Sequence, residues 1–147
     1  MSVLHNFSVQ GKTALVTGCN KGIGFAMAEG LAEAGADIIG VSSGGDYAAI
    51  ETAVKATGKS FTYHQVDLGN REALYAFIQS INDQSVDILV NNAGIIMRNP
   101  AAEHSDEYWD KVMSINLDAQ FILARELGKK MIAKGKGKII FTCSLLS

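Results

Sequence analysis

The chain has 147 residues, of which 48% are apolar and 19% charged, with 13 basic side chains against 15 acidic ones for a net charge of −2. This is the composition of one globular domain able to bury a core, and it excludes a disordered chain. It also gives no basic face for nucleic acid: the densest basic stretch, Lys129, Lys130, Lys134, Lys136 and Lys138, falls at a predicted helix C-terminus, where cations offset the helix dipole. Cys19 and Cys143 are too few for a disulfide framework, and no His or Cys spacing suggests a metal site. No apolar run reaches membrane-spanning length and no apolar segment follows Met1, so a cytoplasmic protein without membrane or nucleic-acid partners is expected.

Apolar runs and helical periods alternate along the chain. Lys12 to Gly18 is a short β run ending in glycine. Gly24 to Gly35 carries Phe25, Ala28, Leu31 and Ala32 on one helical face, with Gly35 as the stop. Asp37 to Ser42 reads as a second strand, and residues 46 to 57 as a second helix with Ala49, Ile50, Ala53 and Val54 facing inward. "SFTYHQVDL" alternates as a third strand; Asn70 then caps a helix carrying Leu74, Phe77, Ile78 and Ile81. "VDILVNNAG" is a fourth strand, apolar in its middle as strands covered on both faces are. One long helix is predicted from near Ser105 to about Lys134, and "GKIIFTC" is the fifth strand. Regular βα alternation predicts a doubly wound α/β fold, a parallel Rossmann-like sheet with helices on both faces. Residues 1–147 make a single dinucleotide-binding domain that, on this reading, stops after the fifth strand.

In such folds ligands bind outside the carboxyl ends of the strands, and four of those ends carry notable residues. "TGCNKGIG", Thr17 to Gly24, places Gly18, Gly22 and Gly24 where a backbone could turn tightly and approach a pyrophosphate held by the helix N-terminus. The spacing is G-x3-G-x-G rather than the common dinucleotide fingerprint, and no Gly-Lys-Ser/Thr makes it a P-loop. Asp67, before Leu68, could receive an adenine amino group or cap the helix near Asn70. Asn91 to Gly94 is either a turn or a ligand wall. Ser144 and Ser147 follow the fifth strand. Asn116 interrupts an apolar helical face made by Trp109, Val112, Met113, Leu123 and Leu127, so its amide needs hydrogen-bond partners.

Taken together, TGxxxGIG at Thr17 to Gly24, Asp67–Leu68, NNAG at Asn91 to Gly94, Asn116 and Ser144 resemble the short-chain dehydrogenase/reductase family, over about Phe7 to Ser147. "NNAGIIMRNPAAEHSDEYWDKVMSINL" and "GKIIFTCSLLS" look most like its gluconate-type sugar-acid branch. The resemblance implies hydride transfer between a nicotinamide and a secondary alcohol or ketone of a sugar acid. Gly18, Gly22, Gly24 and Ile23 would hold the pyrophosphate and ribose, with Asn20 and Ser42 also at the cofactor and Lys21 able to pair with a 2′-phosphate; Asp67 and Leu68 would hold the adenine; Asn91, Ala93 and Gly94 would take the nicotinamide-side ribose. Ser144 and Asn116 would be the catalytic residues, one on the reacting oxygen and the other ordering a water relay, while Arg98 could grip the substrate carboxylate. NAD(H) is the expected cofactor with NADP(H) as the alternative, since Ser42 and Ser43 stand where an NAD-selective acid is usual.

The family's proton donor is a tyrosine with a lysine one helical turn later. Glu51, Asp67, Gln79 and Val112 stand one turn after Tyr47, Tyr63, Tyr75 and Tyr108, so the resemblance puts that pair beyond Ser147. The chain alone is therefore expected to lack turnover, and a non-catalytic dinucleotide-binding fragment or interaction module is the alternative. A homo-oligomer through the helix over 105–134 is also implied.

Overall fold

In the computed structural model, which describes residues 7–144, strands and helices alternate as predicted. β1 (Thr13–Thr17), β2 (Asp37–Ser42), β3 (Phe61–Gln65), β4 (Ile88–Asn91) and β5 (Lys138–Phe141) form one parallel sheet in the order β3-β2-β1-β4-β5. The helices are α1 (Gly22–Glu33), α2 (Ala48–Ala56), α3 (Arg71–Ser80), α4 (Asp106–Met113) and α5 (Ala119–Ala133). The chain winds outward from β1 to β3, then crosses to β4 on the other side of β1. That reversal creates a crevice between the carboxyl ends of β1 and β4.

The strand period sorts the core into two layers. Ala14 and Val16 of β1, Ile38 of β2, and Ile88 and Val90 of β4 pack with Ala28 and Ala32 of α1 and Ile50 and Val54 of α2. Leu15, Ile39 and Leu89, in register with one another, face the opposite way. They pack with Leu74, Phe77 and Ile78 of α3 and Ile122, Leu123 and Leu127 of α5. Each fully buried Leu, Ile or Val contributes about 1.5–3 kcal/mol, so the alternation fixes the register strongly. Caps behave as the residue types demand: Asn70 Oδ1 accepts from the Ala73 N–H at 3.0 Å, and Gly35 takes φ +108° just past α1.

Three expectations change. Ala49 is exposed, and only Ile50 and Val54 of α2 are fully buried. The helix predicted without interruption from Ser105 to Lys134 contains a π-helical turn, Ser114–Asp118, between α4 and α5. And α4 fully buries none of its residues: Trp109 is 60% exposed, while Val112 and Met113 are half-buried. α5 alone anchors this helical run to the sheet, through Ile122, Leu123, Leu127 and Met131. At the far edge β5 carries Ile139, Ile140 and Phe141, all exposed. Ser147 lies outside the described residues.

Candidate functional site

The crevice at the carboxyl ends of the strands is a cleft of about 490 Å3. The turn between β1 and α1 forms its floor: Gly18, Asn20, Lys21, Gly22, Ile23 and Gly24 all line it. Gly18 and Gly22 have φ of +67° and +57°, a region glycine enters without the steric cost borne by a side chain. Nothing lies within 4 Å of a Cβ placed on Gly22, so that position opens into the cleft. Gly24 differs. A Cβ there would overlap Gly18 O and Asn92 Nδ2, so this glycine allows α1 to approach the strand ends.

At the start of α1, Lys21 makes no side-chain cap and no acid stands in the first turn. The leading N–H groups of a twelve-residue helix, with the positive end of its dipole, therefore face the cleft. A phosphate ester satisfies both. Ile23, 63% exposed, lines the same cleft.

The remaining walls come from the ends of β2, β3 and β4. Ser42 Oγ donates to Asn20 Oδ1 at 3.0 Å, tying β2 to the first turn. Asp67 is exposed, and its Oδ1 accepts from the Gly69 N–H at 2.9 Å. Asn70 fills the cap of α3, so Asp67 is not the helix cap. Leu68 lines the cleft beside it, with Ala93 and Gly94 across from them.

The two adjacent asparagines separate in role. Thr17 Oγ1 accepts from the N–H groups of Asn92 and Ala93, each at 2.9 Å, and donates to Val90 O at 3.3 Å. Asn92 Nδ2 donates to Thr17 O at 3.1 Å, while its Oδ1 accepts from Thr142 Oγ1 at 3.2 Å. Asn92 thus joins β1, β4 and the segment after β5, and it lines the cleft. Asn91, which the sequence offered as a cofactor contact, does not. As the last residue of β4 it alternates with Val90, is wholly buried, and neither of its amide atoms has a hydrogen-bond partner among the described residues.

Asn116, in the π-helical turn, accepts from the Ile95 N–H through Oδ1 and donates to Ile95 O through Nδ2, both at 2.9 Å. This two-point clamp holds the backbone that follows Gly94, and Gln120 Nε2 adds a bond to Ala93 O at 3.3 Å. The amide is satisfied by backbone rather than by an apolar pocket.

Arg98 lies outside the lining, exposed in a loop closed by Asn99 Nδ2 on Glu103 O at 3.0 Å and by His104 Nε2 with Met97 O at 3.2 Å. Ser144 is exposed after β5 and also does not line the cleft. The sequence reading passed over Thr17, Asn92, Val66 and Ile115. Thr17 and Asn92 stood inside the quoted motifs, but nothing in them says which side chain faces the neighbouring strand.

Burial pushes the Cys19 thiol up to about 11, which keeps it from acting as a thiolate nucleophile. Among the described residues no three His, Cys, Asp or Glu side chains group as metal ligands. What remains is an anion cradle of backbone N–H groups with flanking apolar walls, which suits a dinucleotide with its pyrophosphate on α1.

The family model described as short chain dehydrogenase matches residues 12–147. A 2-dehydro-3-deoxy-D-gluconate 5-dehydrogenase of Pseudoalteromonas atlantica is 57% identical, with 99% of this chain and 59% of that protein aligned. The protein of the same name from Bacillus subtilis is 44% identical over 100% of this chain and 59% of its own length. A crystal structure of a 3-oxoacyl (acyl-carrier-protein) reductase from Agrobacterium tumefaciens with NADP bound superposes with a TM-score of 0.92 at 31% identity, covering 99% of this chain and 57% of that one. The chain thus spans 59% of the length of these two curated relatives.

Proposed function

The chain belongs to the short-chain dehydrogenase family, and from that premise we propose that the whole protein is an NAD(P)-dependent oxidoreductase acting on a secondary alcohol or ketone of a gluconate-type sugar acid. The nicotinamide, when bound, supplies or accepts the hydride. The residues present fit such a group: the open N-terminus of α1 and the empty space above Gly22 make a cradle for its pyrophosphate. Gly18, Gly22, Gly24 and Ile23 hold that end, Asp67 and Leu68 the adenine, and Ala93 and Gly94 the nicotinamide-side ribose. Asn116 fixes this wall through Ile95. Ser144 hydrogen-bonds the reacting oxygen, and Arg98 draws in the substrate carboxylate. NAD(H) is the main cofactor on this reading, with NADP(H) accepted. Assembly into a homo-oligomer uses the outer side of α4 and α5, where Trp109, Leu117, Phe121 and Ile132 are exposed. A monomer in sedimentation velocity would reject that part.

One observation carries the proposal: the uncapped N-terminus of α1 faces a cleft at the switch between β1 and β4. Titration of NADH and NADPH fluorescence with the purified protein tests it. The parent is expected to bind, and Gly22→Val to weaken binding by about tenfold or more (~1.4 kcal/mol), because its side chain fills the phosphate's space. Equal affinity in both proteins would reject the cradle, and unfolding curves show whether the variant is folded.

A further inference from the structure

Two β3 side chains outside the cleft grip the turn that leaves β2. Ser42 O accepts from the Val66 N–H at 2.9 Å and from the Tyr63 hydroxyl at 3.3 Å. Ser43 O accepts from Gln65 Nε2 at 3.1 Å, and Gly44 O shares the single Tyr63 hydroxyl proton with Ser42 O. Consecutive carbonyls in an extended strand point to alternate sides. Here three in a row face β3, so the backbone has been turned out of the strand pattern. A trans peptide sets each N–H opposite the preceding carbonyl. The N–H groups of Ser43, Gly44 and Gly45 therefore point away from the Tyr63 and Gln65 groups that hold the preceding carbonyls. A Cβ on Gly44 would lie 3.2 Å from Asn20 Nδ2, which places this turn against the cleft floor. Ser43 itself lines the cleft.

The grip is built to hold. The Tyr63 ring stacks on Tyr47 with centroids 4.4 Å apart, and burial pushes its phenol up, keeping the hydroxyl a donor at neutral pH. No acid stands within residues 42–45; Asp46 follows and is exposed. Successive N–H groups turned to one side form an anion-binding concavity.

We infer that Tyr63 and Gln65 are positioning residues for cofactor selectivity: by tying back the carbonyls of Ser42 to Gly44 they aim the turn's N–H groups at the ribose 2′ position, so that a 2′-phosphate is accepted by backbone rather than by a basic side chain. This rests on the dinucleotide reading above and assigns the source of its NADP tolerance. Because neither residue lines the cleft, loss of their bonds acts only through the turn.

The test is fluorescence titration of the purified protein with NADH and NADPH, using Tyr63→Phe, which keeps the ring stack, Gln65→Met, and the double variant, each checked by thermal unfolding. The expected result is a dissociation constant for NADPH raised by about tenfold in the double variant while that for NADH changes by less than about twofold. A merely structural role would weaken both cofactors alike, and that result, like no shift in the ratio, overturns the inference. A parent that binds NADH but not NADPH overturns it alone; a parent that binds neither overturns the dinucleotide reading as well.

Discussion

Thr17 and Asn92, 75 residues apart in sequence, hold each other at the mouth of the cleft: the Asn92 N–H donates to Thr17 Oγ1 at 2.9 Å and Asn92 Nδ2 donates to Thr17 O at 3.1 Å. One hydroxyl, 1% exposed as part of Thr17, also accepts from Ala93 N and donates to Val90 O. The pair fixes where the two strands flanking the switch point end, and hence the distance across the site.

Thr17→Val keeps the shape and removes the three hydrogen bonds of the hydroxyl, leaving the Asn92 Nδ2 bond to Thr17 O in place. Two backbone N–H groups lose their acceptor, and each such loss in a buried setting costs about 1–3 kcal/mol. Urea unfolding is expected to show a loss of about 2 kcal/mol or more, with Thr17→Ser much closer to the parent. A change within the error of the parent would show that the turn is held by other contacts.

Asn116→Leu removes both partners of Ile95 while keeping the branched outline of the side chain. The Ile95 amide is expected to exchange its hydrogen faster, as local opening no longer breaks a bond. Cofactor affinity should fall with it, because the wall at Ala93 and Gly94 loosens. Unaltered exchange at Ile95 would mean the clamp adds nothing to the loop's order.

His64 gives a pH dependence of definite sign. Its Nε2 is buried without a hydrogen-bond partner among the described residues, and the ring meets Phe77 edge-on at 5.0 Å. Burial lowers its pKa in the folded chain. The unfolded chain therefore takes up a proton first as pH falls through about 6.5. This contribution to stability is fully present above that value and declines as pH drops toward the lower folded value. His64→Phe should flatten the denaturation midpoint across this window. An unchanged slope would place the dependence elsewhere.

Arg98→Ala tests the sugar-acid reading in the whole protein. Its loop is closed by the Asn99–Glu103 and His104–Met97 bonds, so the tip has little freedom to compensate. KM for a keto-deoxy-gluconate should rise by about tenfold, while a neutral ketone is little affected, since only the former presents a carboxylate to the guanidinium. Equal effects on both substrates would remove Arg98 from recognition.

The sequence by itself determined where the strands and most of the helices form, and the inward side of α3. The two-residue period sorts Leu15, Ile39 and Leu89 from Ala14, Val16 and Ile38, and the helical period buries Leu74, Phe77 and Ile78. Local rules also placed the Asn70 cap and the Gly35 stop, since both depend on residues within one turn. The glycine turn was legible for the same reason. Only tertiary structure decided between Asn91 and Asn92, because which neighbour faces the cleft depends on where β4 stops against β1, a matter of register between strands far apart in the chain. It also decided that Asn116 reaches Ile95 from a π-helical turn, and that Ala49 and Trp109 stay exposed. Periodicity reports the faces of an element without saying how much of each face finds a partner, and that partner is set by sheet order and by the packing of distant helices.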